Sequence, residues 1–105
     1  MEKSISLLNN IRSQCYSEIL YYQDNRSVSK IYSIRYISGR IDASIWINEL
    51  IEEFLRFEMI KLQDFLKYIC DKKLLINIIN NDYNQGLYDQ IEEMEKKIDA
   101  RINLS

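Results

Sequence analysis

Between Ser27 and Cys70 the chain holds no proline and a single glycine, Gly39, while apolar residues recur every three or four positions almost without a break. A stretch of that period folds as helix, because a 3.6-residue turn gathers such positions on one face. The expected fold class is therefore all-α: a small bundle or hairpin of about three to five helices around a long central helix. At 105 residues the chain suits a single domain, 1–105, with a modest core that a partner or a second copy would help to complete.

The helices can be placed along the chain. Ser4 is a candidate N-cap, followed by Ile5, Leu8, Ile11, Cys15, Ile19 and Tyr22 on one face. Gln23–Arg26 is polar and turn-like, and Ser27 can cap the next helix. Residues 30–38 (KIYSIRYIS) also alternate as a strand would, but Ile31, Ile34, Ile37, Ile41 and Ile45 form a stripe that continues past Gly39. Helix is the better reading. The pattern runs on through Ile47, Ile51, Leu55, Met59, Leu62, Leu66 and Ile69, so a bend is expected near Gly39 or near Arg56–Glu58. Gly39 marks either that bend or a close helix crossing. Leu74–Ile79 (LLINII) is expected to close one end of the core, and Asn80–Gly86 (NNDYNQG) reads as a loop. A last helix carries Leu87, Ile91, Met94, Ile98 and Ile102 on one face, with Glu92–Lys96 and Glu93–Lys97 in the favourable (i, i+4) order. No internal repeat or low-complexity linker stands out.

Several function classes drop out. The chain has no histidine and no CxxC, so Cys15 and Cys70 read as buried free thiols of a reducing cytosol, not as metal ligands. Glu49, Glu52 and Glu53 lack the Glu-x-x-His companions of a carboxylate metal site, and read as exposed helical charge. Gly39 and Gly86 stand alone, so there is no phosphate-cradling loop. Nucleophile–base pairs that need histidine are impossible within one chain. No enzyme activity, no metal and no cofactor are expected. Met1–Asn10 lacks the apolar run of a signal peptide, and no stretch is long enough to span a bilayer, so a cytoplasmic protein without membrane contact is expected.

One feature points to binding. The central helix has two apolar faces: Ile34, Ile37, Ile41 and Ile45 on one, and Val28, Tyr32, Tyr36, Gly39, Ala43, Trp46 and Leu50 on the other, with Arg35 and Arg40 beside them. A core needs one stripe. The second is rich in the residue types that anchor interfaces, so Tyr32, Arg35, Tyr36, Gly39, Arg40, Ala43 and Trp46 are the candidate partner-binding residues. The leading expectation is a protein-interaction module that forms a homodimer or higher oligomer. Its size, Ile/Asn/Lys-rich usage and lack of catalytic groups suit a phage or mobile-element inhibitor of a host defence protein. An alternative is a nucleotide or nucleic-acid binder, with Arg35 and Arg40 on phosphates and Tyr32 and Tyr36 stacking on bases. The net charge of −2 weighs against that alternative. A third reading is a structural subunit that assembles only with itself.

Overall fold

The computed structural model describes the backbone of residues 2–25, 33–57 and 62–104, and side chains within 5–23, 33–57 and 62–100. The described residues form four helices: α1 (Glu2–Asn25), α2 (Ile34–Arg56), α3 (Leu62–Leu74) and α4 (Asp82–Leu104). No strand occurs among them. The helical reading of 30–38 holds from Ile34 onward, whereas Val28, Tyr32 and the proposed cap Ser27 lie outside the described residues.

Local chemistry accounts for the helix ends. Ser33 caps α2, its hydroxyl accepting from the Tyr36 N–H at 3.1 Å. Asn81 does the same for α4, accepting from the Asn84 N–H at 2.9 Å. Consequently Asp82–Gly86 is helix, not the loop expected there, and the connection is confined to residues 75–81. α1 begins at Glu2, so Ser4 sits within the helix and not at its cap. α2 runs through Gly39 uninterrupted and closes at Phe57, at the second of the two places where a bend was expected.

Contacts between side chains set the topology. Arg12 meets Glu52 at 2.8 Å, and the Arg40 guanidinium lies 5.5 Å from the Tyr22 ring centre, so α1 runs antiparallel to α2. Phe65 packs edge-on against Phe54, and Lys72 lies over Trp46, so α3 also opposes α2. Glu18 meets Gln90 and Cys15 Sγ lies 3.9 Å from Met94 Sδ, so α4 opposes α1 and runs in the same direction as α2. α2 and α4 share the most extensive interface and form the inner pair; α1 packs mainly on α2, and α3 on α4.

The faces read from sequence on α1 and α4 are buried, whereas in the isoleucine stripe of α2 only Ile37 and Ile41 are, with Ile34 and Ile45 at the surface. Leu8, Ile11 and Cys15 of α1 and Ile91, Met94 and Ile98 of α4 are 0–2 % exposed. Between them sit Ile47, Ile51 and Phe54 of α2 and Phe65 and Ile69 of α3. Each such side chain contributes about 1.5–3 kcal/mol on leaving water. Only Phe65 and Ile69 of α3 are buried, which makes it the least anchored helix. Both cysteines are free, and burial pushes the Cys15 thiol up to about 12, leaving it a small core residue. Among the described residues, no helix is long and apolar enough to cross a membrane.

Candidate functional site

The second stripe of α2 lies against α4. Gly39 and Gly86 face each other where the two helices cross. A Cβ on Gly39 would overlap the Tyr83 carbonyl oxygen and come 2.9 Å from the Leu87 nitrogen. One on Gly86 would overlap the Tyr36 carbonyl oxygen and come 3.0 Å from the Arg40 nitrogen. The relation is reciprocal: each glycine receives the carbonyl three residues before, and the nitrogen one residue after, the other glycine. Gly39 therefore marks a close crossing, the second of its two expected roles.

Hydrogen bonds repeat the reciprocity. The Tyr36 hydroxyl donates to Asp89 Oδ2 at 2.7 Å, and the Tyr83 hydroxyl donates to Asp42 Oδ2 at 2.6 Å. Tyr36–Asp42 (YISGRID) and Tyr83–Asp89 (YNQGLYD) thus carry the same Tyr-x-x-Gly-x-x-Asp pattern, an internal repeat that the sequence reading missed. Only three positions are shared in each heptapeptide, so the signal emerges once the two glycines are known to touch.

The candidate partner-binding residues are largely engaged within the chain. Gly39 and Ala43 are buried, Tyr36, Arg40 and Trp46 are half-buried, and Arg35 is exposed. Arg40 Nη2 donates to Glu93 Oε2 at 2.6 Å, and Lys97 Nζ reaches the other Glu93 oxygen at 3.2 Å. Buried Gln90 donates to Glu18, which also lies 3.9 Å from Lys97. Trp46 packs on the core with Lys72 5.7 Å over its ring. Of these residues, Tyr36, Gly39 and Arg40 meet α4 of the same subunit, Trp46 meets Lys72 of α3, and Arg35 faces solvent. The sequence could not reveal this, because α4 was read as an ordinary one-faced helix.

The two clamps carry a pH signature. The hydrogen bond to Asp42, then burial, pushes the Tyr83 hydroxyl up to about 12. Burial, then the bond to Asp89, also raises Tyr36. An unfolded tyrosine ionises near 10. These groups hold their protons more tightly when folded, so their stabilisation is complete below pH about 10 and is lost as pH rises through about 12. We expect a native absorbance titration in which Tyr36 and Tyr83 ionise only above the pH at which an unfolded tyrosine does, together with unfolding. Early, simultaneous ionisation of all the tyrosines in folded protein would contradict the clamps.

The exposed apolar surface gathers elsewhere. Leu74, Leu75 and Ile79 are 74 %, 84 % and 77 % exposed, with Ile78 beside them. The stretch expected to close the core sends only Ile76 inward. The loop is held in shape: Asn77 Oδ1 accepts from the Ile79 N–H at 3.1 Å, Asn84 Nδ2 donates to the Asn77 carbonyl at 2.7 Å, and Asn80 takes a left-handed φ of 52°. Asparagine suits both the side-chain turn and that φ. A polar groove of about 610 Å³ also runs between α1 and α2, lined by Tyr16, Asn48 and the paired Arg12 and Glu52. Glu49 and Glu53 are exposed, and no group of His, Cys, Asp or Glu among the described residues could hold a metal ion. Compared with known proteins, the chain matches no family model, no curated relative and no solved structure.

Proposed function

We propose that this protein is a non-enzymatic binding module that engages a partner protein through the aliphatic α3–α4 connection. The observation that carries the reading is the loop of Leu74, Leu75, Ile78 and Ile79, presented to solvent by asparagine hydrogen bonds. Exposed aliphatics on an ordered backbone lose little entropy on binding and gain the full benefit of leaving water. The Tyr/Trp stripe of α2 supports the reading indirectly, because its engagement with α4 gives the connection a rigid base. A nucleotide site built on Arg40 and Tyr36 is less favoured: Glu93 pairs with the cation and Asp89 accepts the hydroxyl's hydrogen bond.

Leu75→Asp with Ile79→Asp tests the proposal. Both side chains are exposed, so stability is expected to change by less than about 0.5 kcal/mol per site. Partner affinity should fall about a thousandfold, as for two anchors worth about 2 kcal/mol each. Quantitative capture from a host lysate with wild type and variant side by side gives the readout. An identical captured set, or sedimentation with anionic lipid vesicles in place of protein capture, would overturn the proposal.

A further inference from the structure

The groove between α1 and α2 has an unmet hydrogen-bonding demand at its floor. Asn48 is half-buried there, whereas Arg12, Ser13, Tyr16, Ser17 and Glu52 around it are exposed. The Asn48 carboxamide oxygen is sealed from solvent and accepts no hydrogen bond among the described residues. A buried acceptor without a donor is costly, so this position favours a ligand that brings an O–H or N–H. Asn48 belongs to a polar row on α2, Ser44, Asn48 and Glu52 at four-residue steps, in which the Ser44 hydroxyl is also buried without a partner. Packing accounts for Ile47 and Ile51 beside it, both fully buried, but not for this row.

The walls define the chemistry of the ligand. On α1, Ser13 and Ser17 sit about one turn apart, as do Arg12 and Tyr16. Arg12 bonds Glu52 from wall to wall at 2.8 Å, so the two charges offset each other and no spare cation is left for a phosphate. That bond uses one guanidinium nitrogen and one carboxylate oxygen, which leaves further donors and a further acceptor. The serine hydroxyls and the carboxamide also offer both kinds of group. Tyr16 adds a ring, 61 % exposed, on which no described residue stacks. A ligand matched to these walls is uncharged, donates and accepts at several adjacent positions, and has one apolar face. Sugars combine these properties, with hydroxyls around the rim of the ring and C–H groups on its face. The groove, at about 610 Å³, falls within the ~300–1,000 Å³ of small-molecule sites.

We propose that the α1–α2 groove binds a neutral saccharide, with its hydroxyls bonded to Asn48, Ser13, Ser17 and the Arg12–Glu52 pair and its C–H face laid on Tyr16. None of these residues belongs to the aliphatic α3–α4 connection, so the saccharide site and the protein-binding loop stand or fall separately.

The test titrates the wild-type protein with methyl glucoside, methyl galactoside, methyl mannoside and N-acetylglucosamine. Binding is followed by saturation transfer and by the nuclear magnetic resonance signals of the Tyr16 ring and the Asn48 side-chain amide. We expect at least one of the four sugars to receive saturation and to shift both signals. Tyr16→Ala should weaken that binding about tenfold, through the lost ring face. Tyr16→Phe keeps the ring and should stay within about threefold of wild type. Asn48→Ala should weaken binding about tenfold, through the lost acceptor. Circular dichroism checks that the variants remain folded, and the wild-type signals locate the site without them. An absence of saturation transfer to all four sugars would overturn the proposal. So would sugar binding that is unchanged in Tyr16→Ala, or binding of adenosine or inorganic phosphate at these signals in place of every sugar.

Discussion

Alanine in place of Gly86 is expected to destabilise the protein by about 2 kcal/mol, although the same change stabilises most helices. Two effects of opposite sign compete. Removing glycine from a helix interior gains about 1 kcal/mol in propensity. Against that, the new Cβ would overlap the Tyr36 carbonyl oxygen and lie 3.0 Å from the Arg40 nitrogen, both backbone atoms of α2. A side chain could swing aside; a helix backbone moves only as a whole. The cost therefore belongs at the upper end of overpacking, about 3 kcal/mol. Gly39→Ala should cost the same, because it meets Tyr83 and Leu87 in the reciprocal geometry. The double variant should lose less than the sum of the two, because one separation of the helices relieves both overlaps. Urea unfolding of the four proteins measures this. A Gly86→Ala protein as stable as wild type would mean that the helices do not approach as closely as described.

Phe65→Ala is expected to cost about 3–5 kcal/mol, the usual range for emptying a phenylalanine site in a packed core. Phe65 is fully buried and packs edge-on against Phe54 at 5.3 Å between ring centres. Ile69 is the only other fully buried residue of α3, so Phe65 carries much of its hold on the core. For a domain whose total stability is about 5–15 kcal/mol, this approaches global unfolding. At intermediate urea concentrations, hydrogen exchange should show α3 losing protection before α2. Because α3 leads into the Leu74–Ile79 loop, the same variant should also weaken partner capture, by loosening the base of the loop and not its contacts. A loss of stability below about 1 kcal/mol would show that the Phe54–Phe65 pair does not anchor α3.

These expectations differ in how far a reader of the sequence could have reached them. The 3.6-residue period alone places Leu8, Ile11 and Cys15, and Ile91, Met94 and Ile98, on the buried faces where they are found. It was misleading at Leu74–Ile79, because a run of aliphatics says nothing about whether neighbouring helices leave room for it. It was also misleading at Asn80–Gly86, where glycine and asparagines signalled a loop. Asn81 instead caps a helix, and Gly86 is needed for closeness and not for a turn.

The two-faced character of α2 was legible from residue types, since Tyr36, Gly39, Ala43 and Trp46 fall on one side of a helix whose other side is isoleucine. What covers that side was not. Helical periodicity is a local property: it reports which face of a helix avoids water and is silent about which surface meets it. Only the tertiary structure could pair YISGRID with YNQGLYD, because the match lies in the space between two helices.

The amino-acid order by itself settled that this polypeptide is helical and which flank of α1 and of α4 turns inward, since both follow from near-neighbour spacing along the backbone. The assignment of α4 as the occupant of the tyrosine-lined flank, and of the isoleucine- and leucine-rich connection as the surface left over, was decided by packing. Two glycines without side chains allow one pair of rods to approach more closely than the rest, and that choice determines what remains outside.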